Sequence, residues 1–278
     1  MKRRHRKILN TFYVTLLAWT FVTVLNIPLF WMVSSSLKSA EEMLSTTPNI
    51  LPSRIDLENY HTLFAGDFLI WFLNSLLVAF ETTAMVIVAA TLGAYGLTRF
   101  DFRGRRPMAV VVLCTYLFPS ILMLVPIFMT IASLRISDTH LALVMANTTF
   151  ALPFSLWLLR AYFLSVPVQT EEAAMIDGAS RLRGFVEIVV PQITPGIIST
   201  SIFTFILAWN EYLFASTFIS TSTKRTLPVG IARYADELSP DWGVLMAATV
   251  SVAIPVLIFF SFLQARLIPQ LSTGATKQ

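Results

Sequence analysis

The stretch FLIWFLNSLLVAFETTAMVIVAATLGAYGL, residues 68–97, decides the fold class. It is predominantly apolar and holds one charged side chain, that of Glu81. About 20 such residues are enough for an α-helix to cross the hydrocarbon core of a bilayer. The stretch therefore predicts a transmembrane helix.

The composition of the whole chain agrees with this prediction. Of 278 residues, 55% are hydrophobic and 13% are charged, and the mean hydropathy is +0.70. Soluble domains carry about 25% charged residues, and disordered chains are poor in aliphatic residues. A soluble enzyme and a disordered chain are both excluded. The net charge of +4 is therefore interpreted through the distribution of charges between the two sides of a membrane, and not as a sign of nucleic-acid binding. Cys114 is the single cysteine and the three histidines are far apart, so we expect no disulfide and no metal site.

Six stretches are long and apolar enough to cross a membrane. We predict an all-α integral membrane protein, a single transmembrane domain over residues 1–278, with spans at about 11–33, 68–97, 108–131, 140–159, 196–219 and 244–263. Pro119 and Pro126 predict a kinked or broken third span. The first span follows a basic start like a signal peptide, with a weak cleavage site at residues 34–36. Its apolar run exceeds a cleaved signal's core, so an uncleaved signal-anchor fits better.

The distribution of basic residues predicts the orientation. An even number of spans places both termini on one side, and 14 of the 20 Lys and Arg residues lie on that side. Lys and Arg concentrate on the cytoplasmic side of short loops. We therefore expect both termini in the cytoplasm. Two acidic residues, Glu81 and Glu211, lie within predicted spans.

The cytoplasmic loop 160–195 is too long for a tight connection. Most of it lies in VQTEEAAMIDGASRLRGFVEIVVPQITPG, residues 168–196. Thr170 is the predicted N-cap of a short helix whose first turn holds Glu171 and Glu172, where the helix dipole favours negative charge. Gly178 is the predicted end, because glycine accepts a left-handed conformation.

A second short helix is predicted from Ser180, as its N-cap, through Glu187, with Pro191 ending it. Short helices held outside the bilayer suit insertion into a groove of a partner protein. A solvated loop without a partner is the alternative on composition alone.

Polar residues within spans are candidates for a substrate path. An ionised carboxylate in hydrocarbon costs about 2.5 to 3.5 kcal/mol, so Glu81 and Glu211 should face protein, water or a partner. Trp209, Asn210 and Glu211 combine an aromatic ring with two hydrogen-bonding groups, as sugar sites do, although hydrogen bonding between helices is an equal alternative. For Glu81, packing or a protonated state is as open as substrate contact. Asn147 is a weaker candidate.

Catalytic and nucleotide-binding motifs are absent from the sequence. It contains no G-x-x-x-x-G-K-[ST] phosphate loop, no H-E-x-x-H and no G-x-S-x-G. We therefore expect no enzymatic activity in this chain. A stand-alone ion-coupled carrier with Glu81 or Glu211 as the proton site remains an alternative to a transport subunit.

The loop resembles a known signature. Glu172-Ala173-Ala174, Gly178, Ile188 and Val190-Pro191 are similar to the pattern EAA-x3-G-x9-I-x-LP of permease subunits of bacterial ABC importers, with Val190 in place of Leu. Further similarity to sugar-importer permeases lies at residues 36–38, 57–60, 74–76, 209–212 and 270–275. The six spans and short basic start resemble the second, shorter permease of the maltose-type group.

The resemblance implies a type I ABC importer permease fold and the import of a sugar or related solute, such as an oligosaccharide, a polyol or a glycerol phosphate derivative. It implies a prokaryotic cytoplasmic membrane and three kinds of partner: a homologous second permease, two ATPase subunits and an extracytoplasmic solute-binding protein. The chain itself would hold no cofactor, because ATP and Mg²⁺ would be bound by the ATPase subunits. The implied ATPase-coupling residues are Glu171, Glu172, Ala173, Ala174, Asp177 and Gly178.

Overall fold

The computed structural model describes residues 2–45, 47, 49–235 and 241–274, and the side chains of 11–45, 47, 49–235 and 241–261. Within these ranges the regular structure is entirely helical. The predicted similarity at residues 270–275 and the charges of Asp236, Glu237, Arg266 and Lys277 fall outside the described side chains. The helices, in chain order, are α1 (Lys2–Ser36), α2 (Ala40–Met43), α3 (Glu58–Ala65), α4 (Phe68–Arg99), α5 (Arg105–Thr115), α6 (Ser120–Ser133), α7 (His140–Ser165), α8 (Val168–Ile176), α9 (Arg181–Arg183), α10 (Val190–Gln192), α11 (Thr194–Trp209), α12 (Leu213–Phe218), α13 (Leu227–Ala235) and α14 (Trp242–Gly274), with a π-helix at Gly184–Val189 and a 3₁₀ turn at Ser222–Lys224.

Among the described residues, four helices are long and apolar enough to cross a membrane: Thr11–Ser36 within α1, α4, α7 and Trp242–Ser261 within α14. Two further spans arise if each of two bent pairs counts as one. The pair α5 and α6 bends by 99°, and the pair formed by Arg181–Gln192 and α11 bends by 73°. The all-helical membrane fold is confirmed.

The broken third span is also confirmed. Helix α5 ends at Thr115 and α6 begins after Pro119, whose φ is −59° and ψ 128°. A proline cannot donate the backbone hydrogen bond that would continue the helix. Pro126, by contrast, lies inside α6 without ending it.

The predicted fifth span, at about 196–219, is divided in the structure. Helix α11 ends at Trp209 and a separate helix, α12, begins at Leu213. The Glu211 carboxylate accepts hydrogen bonds from the backbone N–H of Phe214 at 2.7 Å and of Ala215 at 2.9 Å. These are donors that the first turn of a helix leaves unpaired, so Glu211 starts a new helix where the apolar run predicts none.

The end of the fourth span also differs from the prediction. The fourth span, α7, continues from the predicted start at His140 to Ser165, six residues beyond its predicted end. The loop that follows therefore begins at Val166 rather than at Arg160. Thr139 caps α7 by accepting a hydrogen bond from the N–H of Ala142.

The chain divides into two compact units. One comprises residues 1–68 and 231–253. Within it, the buried amide of Asn59 donates to the backbone carbonyls of Ser36 and Lys38, at 3.0 and 2.8 Å. Lys38 donates to the carbonyl of Asn49 at 2.6 Å and lies 4.5 Å from the ring centroid of Trp31. These bonds hold the segment after α1 against α3.

The other unit, which we call the larger unit, comprises residues 69–230 and 254–278. Among its described residues are two apolar clusters, one around Phe163 and Phe185 and one around Leu143 and Phe214. The first cluster includes Val189 and Ile193, near the end of the predicted cytoplasmic loop, and residues of α4 and α7. The loop is therefore attached to the core of this unit.

Candidate functional site

Helix α8 forms the centre of the predicted coupling loop. It begins after Pro167 and runs from Val168 to Ile176, so the prediction of Thr170 as N-cap was wrong. The N-cap is Pro167, three residues before Thr170. Proline is tolerated at the start of a helix because the backbone N–H that it lacks would have no partner within the helix. Thr170 lies within the helix.

The predicted end of α8 is confirmed. Gly178 has φ +90°, in the left-handed region that favours glycine. The N–H of Gly178 donates to the carbonyl of Met175 at 3.1 Å, and the N–H of Ala179 donates to that of Ala174 at 2.9 Å. This pair of bonds is a Schellman motif, which satisfies the last carbonyls of the helix.

Apolar side chains are exposed at this end of α8 and in the helix that follows. Ile176 is 86% exposed and Leu182 is 71% exposed. Four of the predicted coupling residues are exposed beside them, and Ala174 is half-buried; the exposed four are Glu172, Ala173, Asp177 and Gly178.

Glu171, the sixth predicted coupling residue, is buried within the chain. It is 3% exposed, and its Oε2 lies 3.1 Å from Nε of Arg99. The hydroxyl of Tyr95 donates to its Oε1. The sequence predicted Glu171 in the first turn of a helix but not its two partners, which are more than 70 residues away along the chain.

The segment after α8 differs from the predicted second helix. Ser180 caps it as predicted, accepting a hydrogen bond from the N–H of Arg183. The chain then passes into the π-helix Gly184–Val189, and Pro191 lies in the first turn of α10 rather than ending a helix. Single-turn π-helices are rare and are frequently found at functional sites.

A cavity of about 440 Å³ lies in the larger unit, beside the breaks in the third and fifth spans. It brings together two of the predicted substrate-path residues, Asn147 and Glu211, with aromatic rings of Tyr116 and Phe150. Asn147 is 1% exposed, and neither polar atom of its side chain has a hydrogen-bond partner among the described residues. Asn147 thus lines the cavity, although both polar atoms of its amide are buried.

The other predicted substrate-path residues lie elsewhere. Trp209 is buried and packs against Phe72 and Phe205, with ring centroids 5.6 and 5.8 Å away. Asn210 is exposed and donates to the carbonyl of Ile206 at 2.8 Å. Glu81 is exposed on α4. None of these three lines the cavity.

No group of three or more His, Cys, Asp or Glu side chains that would hold a metal ion occurs among the described residues.

Comparison with known proteins gives one consistent result. Residues 85–273 match the family described as binding-protein-dependent transport system inner membrane component. The chain is 36% identical to the inner membrane ABC transporter permease protein YcjP of Escherichia coli K12, over 96% of this chain and 95% of that protein. It is 33% identical to the diacetylchitobiose uptake system permease protein NgcG of Streptomyces coelicolor, over 94% of this chain and 87% of that protein.

Among solved structures, the chain is similar to a bacterial ABC transporter involved in the import of the acidic polysaccharide alginate. The TM-score is 0.82 at 22% identity, over 93% of this chain and 96% of the other. The common fold is that of an ABC importer permease, as the sequence signature predicted. The alternative of a stand-alone ion-coupled carrier was wrong, because the family acts within a binding-protein-dependent system. The chain belongs to the binding-protein-dependent transport system inner membrane components, and is a multi-pass permease subunit of an ATP-driven importer.

Proposed function

We propose that this chain forms, with a homologous second permease, the membrane pathway of an importer for a sugar or related solute in the cytoplasmic membrane of a prokaryote. Two ATPase subunits would bind and hydrolyse ATP with Mg²⁺, and an extracytoplasmic binding protein would deliver the solute. Both termini would lie in the cytoplasm, in accord with the excess of Lys and Arg on that side.

One observation carries the coupling role: the exposed apolar end of α8. Ile176, at the end of α8, is 86% exposed and Leu182, in α9, is 71% exposed, in a segment predicted to lie outside the bilayer. When a partner covers large apolar side chains in such a position, the free energy of binding becomes more favourable by about 25 cal/mol per Å² of apolar surface buried. The short α8, with Ala173 exposed and Gly178 at its end, presents a narrow surface that suits a groove in an ATPase subunit.

The cavity beside Asn147 and Glu211 supports a sugar pathway. Sugars are bound by aromatic faces with a few fixed polar groups. The cavity combines Tyr116 and Phe150 with Asn147, whose amide has no hydrogen-bond partner among the described residues. The relative NgcG is named for diacetylchitobiose uptake, which favours an oligosaccharide as the class of solute. Trp209, Asn210 and Glu81 stay candidates for the path or for contact with the second permease.

The coupling role is tested by replacing Ile176 with Asp. A charge in the centre of the contact should reduce copurification of the cognate ATPase subunit, co-expressed and extracted in mild detergent, at least tenfold. Leu44→Asp is the matched control, because Leu44 is 79% exposed and lies after α2, far along the chain from the loop. Unchanged copurification with Ile176→Asp would refute the proposed contact.

A further inference from the structure

The Glu171 carboxylate joins three helices at one end of the larger unit. Arg99 is the last residue of α4, and its guanidinium donates to Glu171 Oε2 at 3.1 Å. The same guanidinium donates to the backbone carbonyls of Phe163 at 3.3 Å and Val166 at 3.0 Å. These carbonyls lie at the end of α7, where a helix leaves its last acceptors unpaired. Arg99 therefore ties α8 and the end of α7 to the end of α4.

Tyr95 provides a second hydrogen bond from α4 to Glu171. It lies one helical turn before Arg99, and its hydroxyl donates to the other oxygen of the Glu171 carboxylate. Its ring packs against Phe185 of the π-helix, with centroids 4.6 Å apart. Both carboxylate oxygens are thus held from α4, and the ring that holds one of them is itself fixed by the segment after α8.

The Glu171 carboxylate is buried and closely packed. The Arg99 and Glu171 side chains are 6% and 4% exposed. A Cβ atom on Gly184 would lie 3.4 Å from Cγ of Glu171, so the π-helix packs directly against the side chain. Separating a buried ion pair leaves each charge without water or a partner, so such pairs break far less readily than exposed ones.

The same loop contains an exposed ion pair for comparison. Arg183 and Glu187 are joined at 2.9 Å, but their side chains are 66% and 56% exposed. Exposed pairs of this kind contribute little because water solvates both ions when they separate. Burial, rather than distance, distinguishes the Arg99–Glu171 pair.

We propose that Glu171, Arg99 and Tyr95 are positioning residues that make α8 move as one body with the ends of α4 and α7. The inference rests on the proposed seating of α8 in an ATPase subunit. A force applied to the exposed end of α8 would then displace the membrane spans, because α8 would not move relative to the ends of α4 and α7. Glu171 would serve the importer from inside the chain and not by touching the ATPase.

The rigidity of this connection is measurable without knowing the solute. In a Cys114→Ser background, nitroxide labels at Gln169→Cys on α8 and Val88→Cys on α4 report the distance between the two helices by pulsed electron resonance. All three original side chains are exposed. The sample is the complex with its ATPase subunits, first without nucleotide and then trapped with ATP and vanadate. We expect one narrow distance distribution that is the same in both states.

Removing the carboxylate should loosen α8. In Glu171→Ala we expect the distribution to become at least twice as wide or to shift between the two states, while the ATPase subunits still copurify. Glu187→Ala is the matched control and should keep the original width. Should Glu171→Ala fail to fold, Tyr95→Phe removes one hydrogen bond while keeping the ring, and it should widen the distribution to a smaller extent.

Two results would overturn the inference: an unchanged distribution in the folded Glu171→Ala or Tyr95→Phe complex, or an original distance that changes with nucleotide. Failure of the proposed function is a separate result. It would appear as normal ATPase copurification with Ile176→Asp. In that case the width of the distance distribution without nucleotide, compared between the original protein and Glu171→Ala, would still test the connection between α8 and α4.

Discussion

The backbone of Gly230 packs so closely against the indole of Trp71 that a Cβ atom there would lie 2.0 Å from Cε3. The ring has little room to withdraw, because Trp71 is 6% exposed and its Nε1 donates to the carbonyl of Ser222 at 3.1 Å. Gly230→Ala should therefore lower the free energy of unfolding by about 1–3 kcal/mol, the usual cost of overpacking. Thermal melting of the detergent-purified chain, followed by tryptophan fluorescence, measures this loss.

Gly96→Ala is the control for that substitution. No atom lies within 4 Å of the position that its Cβ would take. Alanine inside a helix is favoured over glycine by about 0.5–1 kcal/mol, so Tm should stay or rise slightly. Equal losses of Tm in the two variants would contradict the assignment of close packing to Gly230.

Gly178 should be needed for its backbone conformation and not for its size. Its φ is +90°, and no atom within 4 Å would meet a Cβ there. Gly178→Ala places an L-residue in the left-handed region at a cost of about 1–2 kcal/mol. We expect ATPase copurification to fall about 5- to 30-fold, the equilibrium equivalent of that cost.

Gly178→Asn provides the matched comparison, because asparagine visits the left-handed region more readily than other side chains. It should retain most of the copurification despite its larger side chain. If Asn proves as harmful as Ala, steric contact with the partner, rather than the turn, would explain the need for glycine.

Asn147→Leu should stabilise the protein and impair transport. A buried amide without partners costs about 1–3 kcal/mol, and Leu has a similar volume, so the free energy of unfolding should rise by up to that amount. The same change removes the proposed hydrogen bonds to a sugar. Tm and the stimulation of ATP hydrolysis by the loaded binding protein are the two measurements.

Thr149→Val is the control on the same helix. The Thr149 hydroxyl bonds to the carbonyl of Met145 at 2.9 Å, is exposed and does not line the cavity. Stimulation should stay within twofold of the unmodified complex. A transport-competent Asn147→Leu complex would remove Asn147 from the proposed pathway.

Asp138 should give the protein an acid-sensitive connection between two loops. The hydrogen bond from the Thr221 hydroxyl, at 2.6 Å, together with the N–H groups of Thr221 and Ser220, holds the pKa of the Asp138 carboxyl well below its usual range. Lys224 also donates to the carboxylate, at 3.2 Å. A carboxyl whose pKa is lowered by folding stabilises the folded state above its unfolded pKa of about 4, and this stabilisation is lost as the pH falls further.

Asp138→Asn isolates the charge, because Asp138 has φ +57° and Asn tolerates that conformation. The unmodified protein should have the higher Tm at pH 7, and the difference should shrink below about pH 4. A difference in Tm that is constant from pH 7 to pH 3 would assign the effect to the changed hydrogen bonds alone.

The long helices were predictable because bilayer thickness sets their length. Helix α4 begins at the predicted Phe68 and α7 at the predicted His140. Breaks were predictable only where the covalent structure of the residue causes them, as at Pro119. The break after Trp209 comes from the way the Glu211 carboxylate folds back onto two N–H groups, and an acidic residue in a span does not by itself indicate this.

The residues of the candidate site likewise divide into those that local sequence predicts and those that depend on distant contacts. Gly178 was identified because a helix end needs a left-handed residue, which is a local requirement. The burial of Glu171 was not, since an acidic residue in a first turn looks the same whether it faces water or a distant arginine. A usable indication was the spacing of Tyr95 and Arg99, four residues apart at the end of an apolar helix and therefore on one face.

The exposure of the α1 side chains has a consequence for how much its sequence can vary. Every side chain from Thr11 to Asn26 is exposed in the isolated chain, so this stretch adds nothing to the buried core. The order of these residues could be shuffled, with length and apolarity kept, without loss of a buried side chain. A shuffled variant that fails in the cell would therefore indicate that a neighbouring lipid or protein contacts specific side chains of α1. The order of residues 11–26 is thus constrained by the surroundings of the chain rather than by its own core.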